Sequence, residues 1–84
     1  MDDYYIAVGE SAFNTYYIEN THPIIWTSDF SKCKKFTSYT NAKMELEDNF
    51  ITLASTIAHC GMNGIFIDKY NDTTGQLLER KSFI

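Results

Sequence analysis

Apolar positions recur in two rhythms along the chain. The run Tyr4, Tyr5, Ile6, Ala7 and Val8 is rich in aromatic and β-branched residues and predicts a strand from Asp3 to about Val8. Gly9-Glu10-Ser11 is a turn signal. Ala12 to Glu19 predicts a second strand, with Phe13, Thr15 and Tyr17 alternating against Asn14, Tyr16 and Ile18. The two runs read as a β-hairpin. Asn20-Thr21-His22-Pro23 is a loop, because proline cannot donate to a central ladder. Ile24-Ile25-Trp26 reads either as a short third strand or as an extended bridge.

Helical spacing takes over after Thr27. Thr27, Ser28 and Asp29 supply capping oxygens for a short helical turn through Lys35, which Phe36 closes into the core. Ser38 is the expected N-cap of the main helix. Apolar residues then fall at Ala42, Leu46, Phe50, Leu53, Ile57 and Cys60, one face of a continuous helix. Ile51, Ala54 and Ala58 widen that stripe, and Gly61 ends it as a left-handed cap. At ~1.5 Å per residue the helix would be about 33 Å long. Met62 to Tyr70 returns to strand, Asn71 to Gly75 is a turn, and Gln76 to Ile84 is a last strand. The expected fold is α+β in a single domain over residues 1–84: a four-stranded antiparallel sheet of two hairpins packed on one long helix, with a short helical turn before it.

Composition sharpens this picture. Hydrophobic residues make up 44% and charged residues 21%, which favours a folded chain over a disordered one. Six Tyr, six Phe and Trp26 let so short a chain bury enough apolar surface to fold. The net charge of −4 argues against general nucleic-acid binding, and Lys32, Lys34 and Lys35 form the only basic cluster. No apolar stretch approaches the ~20 residues that cross a bilayer, and no secretory signal is visible. With Cys33 and Cys60 far apart and unpatterned, the expectation is a reduced, cytoplasmic protein that does not engage membranes.

Candidate chemistry is sparse. Cys60 stands beside His59, but neighbouring helix positions diverge by about 100°, so the imidazole does not serve the thiol. Cys60 is expected in the core on the buried stripe. Cys33, Cys60, His22 and His59 lack metal-ligand spacing, and no phosphate-binding loop exists, so neither a metal nor a cofactor is implied. Asp2-Asp3 and the set Glu45, Glu47 and Asp48 are solvated carboxylates rather than an acid–base pair. The helix-face set Glu45, Glu47 and Asp48 remains a candidate for binding a partner. In each of the pairs Tyr4-Tyr5 and Tyr16-Tyr17 one ring must face away from the helix, so Tyr5 and Tyr16 are candidates for an exposed contact surface. For a nucleotide held between subunits, a tyrosine or Trp26 for base stacking, with Lys35 or Arg80 for phosphate, would be the corresponding candidates.

Trp26, Thr27, Asp29, Cys33, Phe36, Ser38, Ala42 and Leu46 follow a pattern Trp-[Ser/Thr]-x-Asp-x-x-x-small-x-x-Phe-x-Ser-x-x-x-Ala-x-x-x-Leu. This resembles short accessory proteins of bacteriophages and mobile elements, in which the small residue is usually Ala rather than Cys. The resemblance implies a non-enzymatic protein that binds a host protein in the host cytoplasm, as anti-CRISPR and other counter-defence inhibitors do. It assigns no functional residue. The alternatives are an oligomeric sponge for a nucleotide second messenger and a small nucleic-acid-binding accessory protein.

Overall fold

The structure, a computed structural model, describes residues 3–84. Its α+β fold has five antiparallel strands: β1 (Asp3–Ser11), β2 (Thr15–Thr21), β3 (Ile24–Thr27), β4 (Met62–Asn71) and β5 (Leu77–Ser82). Two helices, α1 (Tyr39–Glu47) and α2 (Phe50–Cys60), join the two groups of strands. The sheet order is β3-β2-β1-β4-β5, so β1 is central and hydrogen-bonds to β4 from Asp3↔Asn71 to Ser11↔Met62. The expected fold class therefore holds, with one strand and one helix more than expected.

Three expected boundaries move, each for a local reason. The first strand runs on through Gly9-Glu10-Ser11, and the reversal falls at Ala12 to Asn14, where the Ser11 N–H donates to the Asn14 carbonyl at 2.9 Å. Phe13, expected in a strand, sits at that reversal and is 95% exposed. Ile24 to Thr27 is a true strand on β2, with Ile18 facing Trp26. The long helix is interrupted at Asp48 and Asn49, where Asn49 leaves helical geometry at φ −116° and ψ 21°. Both expected caps are present: Ser38 Oγ accepts the Asn41 N–H, and Gly61 adopts φ 66°.

The helices cover one face of the sheet. Between them lie Ala7, Ile18, Phe36, Ala42, Leu46, Leu53, Ile65 and Ile67, all buried, with Tyr5, Trp26 and Tyr39 packed at the margin. Each fully buried Leu or Ile contributes ~1.5–3 kcal/mol, so this layer dominates stability. The other face holds Ile6, Val8 and Cys33, flanked by Tyr4, Tyr17 and Tyr70. It is not bare. A 3-10 turn at Phe30–Lys32, capped by the Asp29 carboxylate, passes over it. Phe30 stands edge-on to Tyr17 at 5.2 Å and to Tyr70 at 5.3 Å, Tyr70 stacks on Tyr4 at 5.8 Å, and Lys35 Nζ lies 4.5 Å above the Tyr4 ring.

Candidate functional site

The corner between the helices is built by one side chain. Asn49 Nδ2 donates to the Glu45 carbonyl at 2.9 Å and its own N–H goes to Leu46, which closes α1. This is the usual competition of an Asn side chain with the helix ladder. The Asn49 carbonyl then accepts the Leu53 N–H at 2.9 Å and opens α2 in a new phase. Leu53 still points into the core, but Phe50 turns half outward (50% exposed) and Ile51 almost fully outward (84%). Phe50 stands edge-on to Phe83 at 6.3 Å. Glu47 and Asp48 are exposed on the same corner. With Asn49, Phe50, Ile51 and Thr52 they line an open depression of about 280 Å³.

This apolar, acid-flanked corner continues along α2. The helix carries no Asp, Glu, Lys or Arg, and Leu53 is its only fully buried residue. An amphipathic surface helix normally turns charges to solvent, whereas this exposed face carries uncharged side chains, Ile51 and Ala58 among Thr52, Ser55 and His59. A shallow groove of about 410 Å³ follows it from Ile51 and Thr52 past Ser55 to His59 and Cys60.

The residues singled out from sequence are scattered across both sides of the sheet. Tyr5 and Tyr16 face the helices, not solvent: Tyr5 packs against the core and edge-on to Tyr39 at 6.4 Å, and Tyr16 lines a cleft with Trp26 and Met62. The rings turned away from the helices are Tyr4 and Tyr17, half-buried, Tyr17 against Phe30 and Tyr4 against Tyr70 and Lys35. Glu45 is tied inward by the Thr21 hydroxyl and by Lys34 Nζ at 3.0 Å. The Thr21 hydrogen bond, more than the Lys34 charge, holds its carboxyl below the usual range. Only Glu47 and Asp48 of that set adjoin an open apolar surface.

Trp26 lies on the helix side, whereas Lys35 and Arg80 lie on the other. Cys33 is buried and burial pushes its thiol up. Cys60 is exposed rather than in the core: it falls near the Leu53 face of α2 but stands at the last position of the helix, before the Gly61 cap. His59 Nδ1 lies 2.8 Å from the Ser55 carbonyl oxygen, so its donor tautomer spends that proton on the helix. Among the described residues no cluster of His, Cys, Asp or Glu is arranged to hold a metal. Asp2 lies outside them. No helix is long and apolar enough to cross a membrane.

Among the described residues one charge is buried, and sequence reasoning missed it. Asp68 is fully buried on β4 and accepts from Arg80 Nε and Nη2, both at 2.8 Å, in a bidentate pair across the β4–β5 ladder. Glu10 on β1 adds a second carboxylate, 3.0 Å from Arg80 Nη1, and the guanidinium lies 4.6 Å over the Phe66 ring. Hydrogen bonding to Asp68 raises the already high pKa of Arg80 further. The signal was present in the Asn71–Gly75 turn, whose register sets Asp68 opposite Arg80. Here Arg80 is a structural clamp.

No protein-family model, curated protein or solved structure gives a significant match to this chain. The residues of the Trp26–Leu46 pattern have structural roles: Cys33, Phe36, Ala42 and Leu46 are buried, and Asp29 and Ser38 cap.

Proposed function

We propose that the chain is a non-enzymatic binding protein that occupies a host protein, in the manner of phage counter-defence inhibitors, and that it docks through the corner between α1 and α2. The observation that carries this reading is Ile51, a large aliphatic side chain 84% exposed between Phe50 and the uncharged face of α2, with Glu47 and Asp48 beside it. Such a surface fits a partner recess with an apolar floor and a basic rim. Apolar anchors supply most of the affinity in contacts of this kind, and rim charges supply the encounter rate and salt dependence. Full burial of Ile51 is worth ~1.5–3 kcal/mol.

The test is capture from bacterial host lysate on immobilised wild-type chain, Ile51→Glu and the double variant Glu47→Lys, Asp48→Lys. A partner retained by wild type is expected to be lost with Ile51→Glu. The lysine variant is expected to bind it more weakly and with less dependence on salt. Ile51 bears no buried contact, so the variant keeps its fold, which circular dichroism checks. Equal retention by wild type and Ile51→Glu, or no partner on either, ends the proposal.

A further inference from the structure

We propose that β5 is a self-association edge, and that two copies of this chain pair their β5 strands antiparallel about Arg80 to make one continuous ten-stranded sheet. The two outer strands differ in length and in what precedes them. β3 has four residues and follows Pro23, and a short strand is how a sheet edge is ordinarily closed off. β5 has six residues, contains neither proline nor glycine, and leaves all six exposed. Each outer strand has one register shift against its neighbour, and in β5 it falls at the start, so Glu79 to Ser82 pair regularly with β4.

The hydrogen-bond pattern fixes which groups β5 offers. Phe83 donates its N–H inward to the Ile65 carbonyl at 2.7 Å. By alternation, Ser82, Arg80 and Leu78 direct their backbone N–H and C=O groups outward. An incoming antiparallel strand must bond to these three. A twofold axis perpendicular to the sheet keeps each face in register, which leaves three central registers to compare. Centring on Glu79 sets Glu79 against itself. Centring on Lys81 sets Lys81 against itself. Centring on Arg80 sets Glu79 of each copy against Lys81 of the other, and Leu78 against Ser82.

Like charges directly opposite destabilise a sheet pair and opposite charges stabilise it, so the charge pattern selects the third register. The remaining difficulty in that register is Arg80 beside Arg80 on the axis. Both guanidiniums are already drawn inward and matched by Asp68 and Glu10, so the axis carries no unbalanced positive charge. The charges on this edge therefore do not forbid pairing; they specify one alignment.

The same register sets Leu78 of each copy against Ser82 of the other and covers a side chain that is exposed in the single chain. Leu77 lies beyond the register shift that ends the regular β4–β5 ladder and shares the Tyr70 face, away from Phe83. The predicted contact thus has a backbone ladder and two symmetric ion pairs. It leaves Ile51 and the acidic side of the helical corner outside.

Sedimentation velocity over a concentration series tests this with four proteins: wild type, Glu79→Lys, Lys81→Glu and the double swap. Wild type is expected to form a dimer. Each single variant sets like charges opposite twice and is expected to weaken dimerisation about tenfold, whereas the double swap restores it. Ser82→Pro removes an outward N–H that β4 does not use and is expected to give a folded monomer. A wild-type monomer throughout the series, a dimer indifferent to both single changes, or a double swap no better than either alone would each overturn the assignment. These results are independent of lysate capture, because none of the altered residues lies on the helical corner.

Discussion

Gly9 shows how much one absent side chain decides. It lies in mid-strand, on the face under the helices, where a Cβ would come within 2.8 Å of Met62 Sδ and 3.0 Å of the Trp26 ring. Sulfur at the end of a flexible chain moves cheaply; an indole packed against the core does not. Gly9→Ala is therefore expected to cost ~1–3 kcal/mol, the usual range for overpacking. The chain has a single tryptophan, so its fluorescence reports the displacement directly. The expected outcome is a red-shifted emission maximum together with a lower urea midpoint. An unchanged midpoint would mean that the ring has room to move. In the sequence Gly9 reads as a turn residue, because composition carries no record of a neighbour arriving from β3.

Of the two helices, α1 is fastened to the sheet by polar groups as well as by its apolar face. Glu45 reaches across to Thr21 on β2 and to Lys34, and its carboxyl is held below the ordinary value of 4.5. A depressed folded pKa stabilises above the unfolded value, and that contribution disappears as pH falls through the folded one. Glu45→Gln is thus expected to lower stability by about 1 kcal/mol at neutral pH. It should also flatten the wild-type loss of stability below pH 4.5, as read from urea midpoints across an acid series. Equal slopes for the two proteins would show that the contact contributes nothing.

The helical caps at Ser38 and Gly61 and the turn at Asn71–Gly75 were legible because capping and turn chemistry are local. The break at Asn49 was not. The apolar spacing continues across it without interruption, and the signal for the break is one amide finding a carbonyl four residues back. Misreading that joint also hid the candidate site. Glu47 and Asp48 were correctly placed on the surface, but Phe50 and Ile51 were assigned to the core stripe. Tyr5 and Tyr16 were misplaced because alternation tells which residues share a face and not which face the helices take.

Over the whole molecule, packing weakens from the centre of the sheet toward β5. β1 holds four consecutive buried residues, Ile6 to Gly9, whereas β5 buries none and is fixed to its neighbour through the Asp68–Arg80 pair. In dilute protein, amide exchange is expected to be slowest in β1 and β4 and fastest in β5. Arg80→Ala leaves the Asp68 carboxylate buried without its guanidinium. It is expected to cost about 2 kcal/mol, less than a fully buried pair because Arg80 is partly exposed, and to speed exchange in β5 before β1. Uniform acceleration across all strands would show instead that the sheet opens as one unit.

The place of β1 also governs how the chain comes to be folded during its own synthesis. Its partner on one side is β4, and the contact between Asp3 and Asn71 closes a loop spanning most of the chain. While the ribosome is still producing the helices, the first three strands have nothing to complete them, and the apolar undersides of α1 and α2 lack half of the surface they will cover. Contacts this distant are slow to form, because the entropy of closing the loop is spent before any reward arrives. The nascent polypeptide therefore keeps the apolar undersides of its helices uncovered until β4 has left the exit tunnel, and the sheet closes late.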